Sequence, residues 1–226
     1  MATAGSRTRN WSTWLGEGMK AEAFILDTRP VLNFLAVDRL DLISTALQAP
    51  VYVSPSVVEE VRDVVNGFWG DVERRSRREP ELVEPWEIGL AEDWRKWKTR
   101  LVPPPVRRLR EVDLSVAELR LASQIRNKRR DLDPGECEVL AVAKARGWGV
   151  IIDEMPGHCW AEEESIPNDG TLGVLVAALR LGSLEIEEGE RLWSRVKVVW
   201  PKSPPLSLAE YRDGRPLWRP CPEPRW

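Results

Sequence analysis

The chain has 226 residues, a formal net charge of −3, 42% hydrophobic and 31% charged residues, enough for one substantial core but not for two full-sized domains. No run approaches the roughly eighteen apolar residues that a membrane helix needs, and the first twenty residues lack the apolar segment of a secretory signal, so a cytoplasmic protein with no membrane partner is expected. Cys137, Cys159 and Cys221 are widely spaced and odd in number, which argues against a disulfide framework and a CxxC metal clip. The single histidine, His158, excludes histidine-rich zinc sites, and no GxxxxGK[ST] or GxGxxG loop supports nucleotide binding. Carboxylates remain in quantity, as acids and bases or as holders of hard divalent cations.

Residues 1–22 read as an N-terminal extension without a clear period. From Ala23 the apolar run AFIL ends in Asp27, too brief for a helix and suited to a buried strand. Two short helices follow, one facing inward through Val31, Leu32, Phe34 and Leu35, the other through Leu40, Leu42, Ile43 and Leu47. VYV at 51–53 is a second strand. Ser54-Pro55 then opens a helix, with Ser as N-cap and Pro at the first position, behind which Val57, Val61, Val64 and Val65 recur. Residues 66–133, rich in charge and tryptophan with a PPP block at 103–105, read as a charged, mostly helical insertion. Within it a helix spans Ser115–Arg130, with Val116, Leu119, Ala122, Ser123 and Ile125 on one face and basic residues in the last turn. Asp133-Pro134 starts a helix that Gly147 closes, and GVII at 149–152 is a third strand. Gly170–Leu181 is a helix closed by Gly182, and RVKVVW at 195–200 reads as an edge strand. The main domain is therefore 23–200, and the Pro-rich tail 201–226 wraps the surface or is disordered. Strands alternating with helices indicate an α/β fold with a parallel sheet.

Two acids, Asp27 and Asp153, end apolar strands, the position outside which ligands gather in open parallel sheets; as turn residues or N-caps they need no such role. Helical angles sort the others. Glu60 lies on the flank of the valine face and Glu59 points to solvent. Glu136 falls within the face of Val139, Leu140, Val142 and Ala143, whereas Glu138 falls outside it. Asp133 and Glu136 also have the spacing of a capping box, which spacing alone favours. If these acids converge, their repulsion and desolvation are costs that a divalent cation offsets.

LDTRPVLNFLAVDRLDLI, VYVSPSVVEEV, LDPGECEVLAVAKARGWGVIIDE and DGTLGVLVAALRLG, in that order, resemble the PIN-domain nucleases, specifically the branch similar to VapC-type toxins. The likeness covers roughly residues 23–183 apart from the middle insertion. It implies a three-layer PIN-like fold, a central parallel sheet flanked by helices. It also implies that Asp27, Glu60, Glu136 and Asp153 are the catalytic, metal-holding acids of a Mg²⁺- or Mn²⁺-dependent ribonuclease leaving 5′-phosphate and 3′-hydroxyl ends. RNA as substrate, an antitoxin protein and a homodimer are the implied partners. Thr28, in the family's D-[ST] position, orients water at the ion or caps a helix. Arg29, where the family has a small residue, narrows the cleft or contacts phosphate. His158, where arginine is expected, is structural or exposed, and Glu154 is a reserve ligand or equally a solvent-exposed spectator. Basic clusters at Arg74–Arg78, Arg95–Arg100, Arg107–Arg110 and Arg126–Arg130 either line an RNA groove, with Trp94 or Trp97 for stacking, or are solvated faces. The competing class is a non-catalytic PIN-like module that binds protein or RNA.

Overall fold

A computed structural model describes residues 21–83, 85–97, 109–200 and 203–215. The PPP block, the first twenty residues and the end of the tail lie outside them. Five short strands form one parallel sheet in the order β3-β2-β1-β4-β5. At its centre β1 (Phe24–Leu26) is fully buried and pairs with β2 (Val51–Val53) on one side and β4 (Gly149–Ile151) on the other. Such short, wholly apolar runs suit strands covered on both faces. β3 (Arg110–Glu111) and β5 (Asn168–Asp169) complete the edges. Neither was expected, since two residues carry no readable period. The helices lie against both faces, giving the three-layer α/β architecture.

The helices follow local signals. α1 (Thr28–Ala36) and α2 (Asp41–Leu47) follow β1. α3 (Pro55–Arg78) starts where Ser54 Oγ accepts from the Val57 amide at 3.3 Å. It runs 24 residues, well past the start expected for the insertion. Val57, Val61 and Val65 are buried, but Val64 is exposed. At ~100° per residue it falls at the rim of their arc. α4 (Pro85–Trp97) packs on α3, where Trp94 tilts against Phe68 at 4.7 Å beside a small core of Val72, Val83 and Ala91. Trp94 is thus buried and is no platform for a base; the Trp97 side chain lies outside what the structure describes.

α5 (Val116–Lys128) turns a different face inward than its apolar residues indicate. Glu118, Ala122 and Ile125 are buried, while Val116 and Leu119 are exposed. The cause is Glu118, which closes a capping box with Ser115 and receives Arg146 Nε at 2.6 Å. That bond is the main reason its carboxyl falls to about 2. α6 (Pro134–Arg146) carries the Asp133–Glu136 capping box and ends at Gly147 with φ +68°. α7 (Met155–Glu163) and α8 (Thr171–Arg180) follow β4 and β5.

RVKVVW is not an edge strand: it lies in α9 (Ile186–Val199). Alternation would place Val196, Val198 and Trp200 on one face, but Val198 is exposed while Leu192, Trp193, Val196 and Trp200 are buried at helical spacing. The described part of the tail is ordered. α10 (Leu208–Arg212) has a Ser207–Glu210 capping box, and Leu206, Leu208 and Tyr211 are buried against α8 and α9. Cys137 is a free buried thiol that burial pushes up to about 11. Among the described residues no helix is long and apolar enough to cross a membrane.

Candidate active site

The carboxyl ends of β1 and β4 lie side by side, and Asp27 and Asp153 follow them. The Asp27 amide donates to the Ile151 carbonyl at 2.9 Å, tying the two strand ends side by side. Asp27 is buried. Burial raises its pKa well above the ordinary value, and the charges of Glu136, Asp133 and Glu60 add to this. Half-buried Glu60 reaches in from α3, where the Thr28 hydroxyl donates to its Oε2. Burial raises its pKa too, against the Thr28 bond and with help from Asp133 and Glu138. Gly135 leaves room for it, since a Cβ there would stand 2.7 Å from Glu60 Oε1.

Glu136 closes the capping box and also points one oxygen inward. Its Oε2 accepts the Asp133 amide at 2.8 Å, completing the capping box, while its Oε1 is buried without a partner. Burial pushes this carboxyl up to about 7. Glu138 corrects the angular expectation: it is half-buried, with Oε2 enclosed and unpartnered, and its charge raises Glu60. α6 is buried along most of its circumference, so a place outside its apolar face does not leave Glu138 in open water.

Asp153 stands after the adjacent strand but in its own polar network. Its Oδ1 accepts the Thr171 amide at 2.7 Å. Its Oδ2 accepts the Thr171 hydroxyl at 2.5 Å and Asn33 Nδ2 at 2.9 Å. Burial pushes it up to about 6, against the pull of those bonds and of Arg29. The Arg29 guanidinium lies 5.9 Å from the centre of the Trp200 ring, with Nε buried and unpartnered. Beside Asp153, buried Asp169 is likewise pushed up to about 6 by burial. Sequence reasoning missed Asn33, Thr171 and Asp169. Asn33, a lone polar residue within VLNFL, was the one available signal.

His158 is buried, with Nδ1 2.8 Å from Asn168 Oδ1; burial lowers its pKa. Glu154 is exposed, yet its charge contributes to raising Glu136. In the Arg74–Arg78 cluster, Arg74, Arg75 and Arg77 pair with Asp71, Glu87 and Glu73. These three belong to a self-neutralised helical face.

As the side chains stand, no group of three or more His, Cys, Asp or Glu among the described residues converges tightly enough to hold an ion. The donor chemistry nevertheless fits a hard divalent cation. Asp27, Glu60 and Glu136 offer oxygen only, all three carboxyls are raised, and the buried Glu136 Oε1 lacks a partner. A buried anion of this kind calls for a counter-charge.

Residues 106–193 match the family model DUF3368, a PIN domain. The match contains Glu136, Asp153 and Thr171, and begins after Asp27 and Glu60. No curated protein and no solved structure matches the chain. Residues 106–193, less than half of the chain, are thus similar to a PIN domain, and the five-stranded parallel sheet flanked by helices agrees with that fold.

Proposed function

We propose that the chain is a metal-dependent ribonuclease in which Asp27, Glu60, Glu136 and Asp153 hold Mg²⁺ or Mn²⁺ and water hydrolyses the RNA backbone. The observation that carries this reading is the unpartnered buried Glu136 Oε1 beside the raised Asp27 carboxyl. When bound, the ion supplies water activation and neutralises charge on the attacked phosphate. The chain's own groups set the geometry. The Thr28 hydroxyl fixes the Glu60 carboxylate, Thr171 and Asn33 fix Asp153, and Arg29 beside them offers a positive charge to phosphate. Water adds to phosphorus as the 3′ oxygen leaves, giving 5′-phosphate and 3′-hydroxyl ends. RNA is the proposed substrate, the toxin role with a small antitoxin partner the proposed setting in the cytoplasm, and a homodimer the proposed assembly.

The test is cleavage of structured RNAs by the purified chain with Mg²⁺ or Mn²⁺, compared with chelator and with Asp27→Asn. Cleavage that needs the ion and falls at least ~10³-fold in the variant is expected, because several kcal/mol of charge stabilisation are lost. No cleavage of any RNA in Mn²⁺ would favour the non-catalytic module. Gly135→Ala supplies a separate check. Its Cβ displaces the Glu60 carboxylate while alanine strengthens the helix by up to ~1 kcal/mol. A roughly tenfold or greater loss of Mn²⁺ affinity is therefore expected with no fall in thermal midpoint, read by calorimetry and melting.

A further inference from the structure

The described tail ends in a buried contact that the site geometry does not otherwise explain. Tyr211 of α10 donates its hydroxyl to Asp169 Oδ1 at 2.8 Å, with both side chains buried. The same oxygen accepts the Gly170 amide at 2.7 Å. The next residue, Thr171, gives its amide and its hydroxyl to Asp153.

Space around this turn is filled on both sides. A Cβ at Gly170 would stand 2.5 Å from Asp153 Oδ1, and a Cβ at Gly173 would overlap the Asp169 carboxyl. The backbone thus runs between two buried carboxylates, each of which is held by donors. α10 is itself anchored: Trp193 Nε1 donates to the Leu206 carbonyl at 2.7 Å and the Ala209 amide to Glu190 Oε1 at 3.1 Å.

We propose that the segment 206–212 is a latch on the site, in which Tyr211 and Asp169 are positioning residues that hold the Gly170-Thr171 turn and, through Thr171, the Asp153 carboxylate. This rests on reading Asp153 as one of the ion-holding acids. Partners that orient a metal ligand typically change affinity about 10–100-fold when removed.

The test uses the full chain and two readouts: Mn²⁺ affinity by calorimetry, and amide hydrogen exchange at Gly170 and Thr171 in chelator. Tyr211→Phe and Asp169→Ala are expected to speed exchange at both amides and weaken Mn²⁺ binding about tenfold or more. Asp169→Asn keeps Oδ1 as an acceptor for both donors and is expected to preserve the protection. Val196→Ala, a packing change in α9, is expected to lower the thermal midpoint but leave Mn²⁺ affinity and exchange at this turn as in wild type. Wild-type protection and affinity in Tyr211→Phe would overturn the latch, as would equal losses in Val196→Ala. If the wild type takes up no Mn²⁺, the ion-holding reading fails by itself and the exchange comparison decides the latch.

Discussion

Glu136→Gln is expected to silence RNA cleavage while making the metal-free protein more stable at pH 8. Glutamine at the third helical position still reaches back to the N-cap amide, so the Asp133 capping box survives. What is lost is a buried negative charge whose Oε1 has no partner. Glu136 is raised from 4.5 to about 7. Its ionisation above that pH therefore costs the folded state on the order of 2–3 kcal/mol, a cost the variant escapes. Urea unfolding in chelator should show the gain at pH 8 and little difference at pH 4. A variant less stable than wild type at pH 8, or one cleaving RNA within tenfold of it, would contradict the account. Glu138→Gln is the comparison, expected to retain most cleavage; similar residual activity in the two variants would remove the distinction drawn between them.

The second large effect is an inverted pH dependence. Asp27, Glu60, Glu136, Asp153 and Asp169 all have raised folded-state values, chiefly through burial. The folded protein therefore holds more protons than the unfolded chain at intermediate pH. Their stabilisation is fully present below the unfolded carboxylate values of about 4. It is lost as pH rises through about 6 for Asp153 and Asp169 and about 7 for Glu136. Glu118, held down to about 2 by Arg146, works in the opposite sense but at lower pH. The metal-free thermal midpoint should fall between pH 5 and pH 8, by several kcal/mol in stability. Mn²⁺ should restore it, since an ion at a hundred times its dissociation constant contributes about 2.7 kcal/mol, and more at pH 8 than at pH 5, where protons compete for the same oxygens. A midpoint that rises from pH 5 to pH 8 in chelator would contradict the burial of these charges.

The sheet centre and the strand-end acids were legible in the sequence because AFIL-D and GVII-D are uninterrupted apolar runs closed by a charge and too brief for a helix, which leaves a buried strand. Asp133-Pro134 and Gly147 marked α6 for an equally local reason, cap chemistry at both ends. What escaped had non-local causes. RVKVVW has β-branched residues but folds as α9, because Leu192, Trp193 and Val196 meet the core at helical spacing. Val116 and Leu119 face solvent because the Glu118–Arg146 pair sets which side of α5 is buried. Glu138 lies outside the apolar face of its own helix, yet it is half-buried and its charge reaches Glu60 on α3. Asp169 and Tyr211 are 42 residues apart, and no spacing rule joins an aspartate at a two-residue strand to a tyrosine in a Pro-rich tail.

The central claim, that Asp27 and its neighbouring acids share a divalent ion, is tested most directly by Mn²⁺ titration calorimetry at pH 8 on the wild type and Asp27→Asn. A saturable heat in the wild type that is absent in Asp27→Asn is the predicted result; equal heats from the two proteins would contradict it.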